Sequence, residues 1–156
     1  MSSLKANTIE AQTTNGDLTL QGNGTGDVAL GSNINGADKE LAAIILRDYG
    51  ETANLIGSTG GGTQSIDLTL GNVVSATVDT STNTFTFDNP TATSNGCSFS
   101  LVLTNGGSQT VNWPGSVDWA AATAPTLTAA GVDLLVFSTL DGGTTWYGMV
   151  AAQEVA

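Results

Sequence analysis

The sequence lacks histidine and has little positive charge. Its 156 residues contain no histidine, one cysteine, and three Lys or Arg against fourteen Asp or Glu, for a net charge of −11. The absence of histidine excludes Ser-His-Asp and Cys-His catalytic arrangements and removes the commonest zinc ligand. Cys97 cannot form an internal disulfide, and we expect it to be a small buried hydrophobe. The sequence therefore predicts no catalytic residue, no cofactor and no metal site.

The few positive charges also limit the choice of partner. Lys5, Lys39 and Arg47 all lie in the first third of the chain, and none follows Glu51. Binding to nucleic acid or to an anionic membrane requires clustered Lys and Arg, so neither partner is expected. No stretch is apolar enough to span a bilayer, and the N-terminus has no apolar signal-peptide region. We expect synthesis and folding in a cytoplasm.

The residues that are abundant favour β-structure. Only 11% of residues are charged, against about 25% in typical soluble domains, and the polar remainder is mostly Thr, Ser, Asn, Gln and Gly. Threonine suits strands because its branched Cβ packs well on a pleated surface. Glycine and asparagine suit tight turns because they tolerate positive φ. The composition thus predicts an all-β fold.

The chain divides in sequence into two parts. Residues 1–60 read as an N-terminal β-rich attachment or oligomerisation module, with two short strands flanking the turn 21–27. The apolar run within 41–49 favours a strand, with a helical turn as the alternative. The glycine-rich run Gly57–Gly62 reads as a hinge or linker before a C-terminal domain at 61–156.

Residues 61–156 show alternating apolar and polar positions separated by turn residues. This spacing predicts an antiparallel β-sandwich or jelly-roll-like barrel, with a loop at 123–131. The predicted strands are 65–70, 73–78, 84–87, 98–104, 110–113, 134–140 and 145–151. The expected core is Leu68, Val74, Val78, Phe85, Phe87, Phe99, Leu101, Leu103, Trp113, Leu135, Phe137, Trp146 and Met149.

The remaining polar and aromatic residues have two possible uses each. A pair of the fourteen acids could serve a polysaccharide-degrading enzyme, but nearly all of them sit beside turn residues, so turn formation is the stronger explanation. The aromatic side chains of Trp113, Trp119, Trp146 and Tyr147 could stack on a sugar or pack in a subunit interface. Because the tryptophans fall in or beside predicted strands, packing is favoured.

Two long runs resemble a module of tailed-phage virion structural proteins, especially those of marine and cyanobacterial hosts. They are GGTQSIDLTLGNVVSATVDTSTNTFTFDNPTA at 61–92 and the run at 98–151, which includes NWPGSVDWA, APTLTAAGVD and DGGTTWYG. The segment ILRDYGET at 45–52 and the stretch LTLQGNGTGDVAL at 18–30 resemble the same group and phage fibre repeats. The resemblance implies a particle component, commonly a homotrimer, and brings no catalytic residues.

The resemblance and the chain length together indicate a role in the virion. A compact chain of this length fits a trimeric capsid decoration (cement) or head-fibre protein that binds the major capsid protein or other virion proteins. Lys5, Lys39 and Arg47 would face the capsid, with the acidic C-terminal domain outward. The alternative is a short tail fibre or adhesin that binds a host surface glycan through its aromatic residues.

Overall fold

The structure, a computed structural model, describes residues 42–92 and 95–155. The chain divides into two units between Leu46 and Arg47, and every described strand belongs to the second unit. The all-β class is confirmed: the described part holds nine strands and three 3₁₀ helices of one turn each, at Leu68–Leu70, Gly106–Ser108 and Ala120–Ala122. The strands are β1 Ala53–Ser58, β2 Gly62–Asp67, β3 Val73–Thr77, β4 Asn83–Asp88, β5 Cys97–Thr104, β6 Val111–Asn112, β7 Val117–Trp119, β8 Val132–Thr139 and β9 Trp146–Ala152.

The first six strands wind alternately through two sheets. Strands β1, β3 and β5 lie in a six-stranded sheet of order β1-β3-β5-β8-β9-β7, and β2, β4 and β6 form a three-stranded sheet. Strands β1 to β4 each pair in parallel with the strand one turn later: Ala53 pairs with Val73, and Val73 pairs with Ser100. Gly62 pairs with Asn83 in the same way in the smaller sheet. The chain therefore forms a short two-sided parallel winding.

An antiparallel group of strands completes the larger sheet. Strand β8 pairs antiparallel with β5, and β9 pairs antiparallel with β8. The expected antiparallel pairing is found in these two pairs, whereas the other five pairs are parallel. The alternation of side chains fixes which residues point inward, but it does not fix the direction of the neighbouring strand. Parallel neighbours need a crossover. In the winding of β1 to β6 the strand in the opposite sheet provides it, whereas between β7 and β9 the crossover contains β8 of the same sheet.

The core lies between the two sheets and is built from rows of paired inward residues. Val74, Leu101 and Leu135 form one such row across β3, β5 and β8, and each is fully buried. Of the expected core, ten residues are buried, Phe87 and Trp113 are partly buried, and Met149 is 51% exposed. Met149 was wrongly assigned because it pairs with Val136 on the opposite side of the sheet. The core also includes Ile66 and Ala76. Cys97, which was expected to be buried, is half-buried and packs against the core.

Residues near the expected domain boundary differ from the sequence interpretation. The described part of the 41–49 run contains neither strand nor helix, and Ile45 is 97% exposed. Strand β1 pairs with β3, so residues 53–60 are part of the winding and not of an N-terminal module. The run Gly57–Gly62 contains the corner between β1 and β2, where positive φ angles turn the chain from one sheet to the other. The strands expected around 21–27 lie outside the described residues.

Candidate functional site

The three residues expected to face a capsid are only partly covered by the structure. Lys5 and Lys39 lie outside the described residues. Arg47 is exposed at the start of the second unit, before β1, and is the single Lys or Arg of the described ranges 42–92 and 95–155.

Two of the four aromatic residues singled out in the sequence lie on opposite sides of one strand, β9. Trp146 is 1% exposed, and its ring meets Phe87 and Phe99 edge to face at centroid distances of 5.4 and 5.5 Å. Tyr147, the next residue, points to the outside of the sheet and is 50% exposed. Trp146 is thus a core residue and presents no face to a sugar.

Trp113 and Trp119 form a half-buried pair at the edge of the core. Their ring centroids are 5.5 Å apart, and Trp113 stacks on Phe85 at 5.4 Å with an interplanar angle of 18°. Trp119 lies over Gly148, its pairing partner on β9, where a Cβ would come within 2.8 Å of the indole ring. The missing side chain at Gly148 therefore makes room for this tryptophan. The four aromatic residues do not form one shared platform.

A small groove borders Trp113. It has a volume of about 220 Å³ and lies between the turn 106–109 and the loop 124–127, with Gln109 and Thr126 as its polar side chains. Small-molecule sites usually enclose about 300–1,000 Å³. Since one face of the Trp113 ring is covered by Phe85, the groove can offer a ligand only part of the indole.

A larger groove of about 510 Å³ lies where β5 extends beyond the start of β3. Asn72 links this part of the chain to β5 by two hydrogen bonds. Its side-chain Nδ2 donates to the Ser98 carbonyl at 2.6 Å, and its backbone carbonyl accepts from Ser100 N at 2.9 Å. The neighbouring Gly71 has φ +141°, and a Cβ there would overlap the Thr52 carbonyl oxygen. The groove opens on the outer side of the six-stranded sheet and holds one carboxylate, that of Glu51.

The outer face of the six-stranded sheet, which we call the uncharged face, carries no charged side chain across its central strands. One row of paired residues on this face is Ala53, Val73, Ser100, Val136 and Met149. The neighbouring rows add Leu55, Ser75, Val102, Leu134 and Ala152 on one side, and Ser98, Ser138 and Tyr147 on the other. Two acids border these rows: Asp118 on the short edge strand β7, and Glu51 in the groove lined by Ser98, Ser100 and Val136.

The outer face of the three-stranded sheet has the opposite character. Its paired residues are all polar: Thr63, Thr84 and Asn112 in one row, Ser65 and Thr86 in the next, and Asp67 and Asp88 at the end. These side chains bond to one another, with Asn112 Nδ2 donating to Thr84 Oγ1 at 3.2 Å and Thr86 Oγ1 donating to Asp88 Oδ2 at 3.0 Å. This face satisfies its own polar groups and suits contact with water.

Hydrogen bonds lower the pKa of three carboxyl groups at the surface, of which Asp79 is exposed and Asp67 and Asp141 are half-buried. In each case one hydrogen bond is the main cause of the lowered pKa. The donor is the side chain of Asn89 for Asp67, the hydroxyl of Ser58 for Asp79, and the backbone N–H of Thr145 for Asp141. A carboxyl group that acts as a general acid near neutral pH needs a raised pKa, so these shifts run in the opposite direction. The three groups act as acceptors that fix turns, as the sequence predicted for its acids.

Asp133 is the one fully buried carboxylate of the described residues. Its burial raises the pKa, but donors from Thr128 N, Thr128 Oγ1 and Glu154 N outweigh this effect, and the pKa is lowered overall. Asp133 thereby ties the loop before β8 and the segment after β9 to the start of β8.

Within the described ranges, no three His, Cys, Asp or Glu side chains are placed to hold a metal ion. In the same part of the chain, no helix has the length and hydropathy needed to cross a membrane. Comparison with protein-family models, with curated proteins and with solved structures finds no significant match to this chain.

Proposed function

We propose that this chain is a non-enzymatic structural protein of a tailed-phage particle and acts as a homotrimeric capsid decoration or head-fibre protein. The observation that carries the proposal is the contrast between the two outer faces: one sheet presents only polar side chains, and the other presents an uncharged, largely apolar surface. A surface of this kind in water marks a contact site. The sequence resemblance to virion proteins supplies the setting in which such contacts would form.

The charge distribution supports a decoration role. The described second unit is acidic, with Arg47 as its single cation at the N-terminal end. An acidic body that projects from a particle stays soluble and does not adsorb to nucleic acid. Attachment through Lys5, Lys39 and Arg47 would place the cations toward the major capsid protein. Three such attachment points in one trimer would combine at high effective concentration and so compensate for weak single contacts.

The test is the position and copy number of this chain in purified particles, measured by cryo-electron microscopy with quantitative mass spectrometry. The proposal expects many copies on the icosahedral shell, and loss of capsid stability when the protein is absent. A few copies confined to the tail would contradict decoration and favour a fibre. Absence from the particle would contradict the structural role altogether.

The second candidate is a tail fibre or adhesin that binds a host surface glycan. The groove beside Trp113 favours it, because part of an indole ring lies next to the polar side chains of Gln109 and Thr126. A glycan array probed with the full chain would show binding that Gln109→Ala abolishes. Gln109 is exposed, so this change leaves the core intact, whereas Trp113→Ala removes a ring that packs on Phe85. Binding that is unchanged in Gln109→Ala would exclude this groove as the glycan site.

A further inference from the structure

We infer that copies of this chain associate with one another through the uncharged face of the six-stranded sheet. The inference deepens the proposed function and rests on it, since it names the surface through which an oligomeric particle protein would assemble. The face spans five neighbouring strands, β1, β3, β5, β8 and β9, in one continuous paired sheet.

The apolar content of this face is the first argument. Leu55 is 73% exposed, Met149 is 51% exposed and Tyr147 is 50% exposed, while Val102 and Val136 are half-buried between them. A sheet with one solvated face normally carries polar residues there, as the three-stranded sheet of this same unit does. Large apolar side chains on the corresponding face of the six-stranded sheet are therefore best explained by a covering partner.

Charge identifies that partner as a second copy. The chain carries a net charge of −11, so two copies repel one another over most approaches. Like charges brought together in an interface oppose association strongly. The uncharged face largely avoids this cost, because its central rows contain neither Asp nor Glu. Its nearest carboxylates are those of Glu51, in the groove beside Ser98, and Asp118, on the edge strand β7. A basic partner protein would instead be drawn to the acidic surfaces elsewhere on the unit.

The polar residues of the face are compatible with contact between identical surfaces. They are mainly serines: Ser75, Ser98, Ser100 and Ser138. A hydroxyl both donates and accepts a hydrogen bond, so serines of one copy can pair with serines of another in either direction. A face rich in fixed donors or fixed acceptors would lack this property.

The size of the face predicts how strong the association is. Five strands at about 4.8 Å spacing, with about 20 Å of strand length, give roughly 500 Å² of surface on each copy. A stable interface of standard size takes about 800 Å² from each partner. We therefore expect an association that depends on protein concentration and that the attachment of several copies to one particle reinforces.

The test compares two variants of the full chain with a matched control by sedimentation velocity over a range of concentrations. Met149→Glu and Leu55→Glu place a carboxylate on the uncharged face, at side chains exposed enough to tolerate it. Thr84→Glu adds the same charge to the polar face of the other sheet, where Thr84 is also exposed. We expect the wild-type chain and Thr84→Glu to associate equally, and each of the other two to weaken association at least tenfold.

Thermal unfolding followed by circular dichroism checks that each variant is folded. If Met149→Glu fails to fold, Leu55→Glu on the edge strand carries the test alone. A wild-type chain that stays monomeric at the highest concentration overturns the inference, as does association that both glutamate variants leave unchanged. If another part of the same chain covers the face, the wild-type chain will stay monomeric in this experiment, and the inference will be wrong. Absence from the particle would contradict the proposed structural role, whereas a monomer found in the particle would contradict this inference and the homotrimer but leave the structural role in the particle standing.

Discussion

Replacing the buried Asp133 by asparagine tests how the ends of the six-stranded sheet are held. The carboxylate Oδ2 accepts from Thr128 N at 2.7 Å, and Oδ1 accepts from Thr128 Oγ1 at 2.6 Å and from Glu154 N at 3.2 Å. Every partner is a donor, and the residue is fully buried. Asparagine has nearly the same shape but offers only one acceptor oxygen. The Asp133→Asn variant must therefore turn its NH₂ group toward at least one donor.

The size of the loss follows from these contacts. In the best orientation of the asparagine side chain, its amide oxygen still accepts hydrogen bonds from the Thr128 hydroxyl and from the Glu154 N–H. Its NH₂ group then faces the backbone N–H of Thr128, and that hydrogen bond is lost. A hydrogen bond to a charged group contributes about 1.5–3 kcal/mol, and an unsatisfied buried donor costs about 1–3 kcal/mol. Burying a neutral amide costs less free energy than burying a carboxylate, and this difference offsets part of the loss. We expect Asp133→Asn to lower the free energy of unfolding by about 3 kcal/mol at pH 7.

The pH dependence gives an independent check on the same residue. Burial raises the pKa of Asp133, but its three hydrogen bonds outweigh burial and leave the folded-state pKa below the unfolded value, which is about 3.9. The stabilisation is therefore fully present above about pH 4 and is lost as the pH falls through the folded-state pKa. Asparagine does not titrate, so the difference in stability between the two proteins must shrink in acid.

Urea unfolding of the wild type and of Asp133→Asn, measured at several pH values from 7 down to 3, tests both statements. Asp118→Asn serves as the control, because Asp118 is exposed on β7 and its replacement should change stability by less than about 0.5 kcal/mol. Equal stability of the wild type and Asp133→Asn at pH 7 would refute the hydrogen-bond argument. A difference that stays constant down to pH 3 would refute the titration argument.

Two further predictions concern the core and the large groove, and differential scanning calorimetry measures both. Leu101→Ala leaves a cavity in the middle of a fully buried row, so it should lower the free energy of unfolding by about 3–4 kcal/mol. Val102→Ala, on the half-buried outer side of the same strand, should lower it by less than about 1.5 kcal/mol. Equal effects at these two neighbours would contradict the assignment of sheet faces. Gly71→Ala should destabilise by at least about 2 kcal/mol, because φ is +141° and a Cβ would overlap the Thr52 carbonyl. A melting temperature equal to that of the wild type would contradict that geometry.

The strands of the C-terminal region could be predicted from the sequence, because their local pattern matches their burial. In β8, alternate residues from Asp133 to Thr139 are buried, and in β5 the residues Phe99, Leu101 and Leu103 point inward. Each of the seven strands expected between 65 and 151 corresponds to an observed strand. Strand β1 was missed because its last residues, Gly57 and Ser58, belong to the glycine-rich run that was interpreted as a linker. Strand β7 was missed because it holds only three residues.

The pairing of the strands could not be predicted, because it depends on contacts between distant parts of the chain. The sequence shows that Val74 and Leu101 point inward, but nothing local says that they pair with each other in parallel. The apolar run within 41–49 matched a strand by composition, yet in the second unit the edge of the sheet is β1. The uncharged face was missed for a similar reason: Ser98, Ser100 and Val136 become one surface only after β5 and β8 pair.

The position of β7 sets an order on the assembly of the larger sheet. Along the chain β7 precedes β8, but its pairing partner is β9, through Val117 with Trp146 and Trp119 with Gly148. The turns of the winding can form one after another as each strand docks on the previous one, whereas β7 has no neighbour until the last strand is in place. We therefore expect the backbone pairing of β7 to form late in folding. The amides of β7 should be among the first in the sheet to exchange with solvent, because this three-residue edge strand has one neighbouring strand and few hydrogen bonds to hold it.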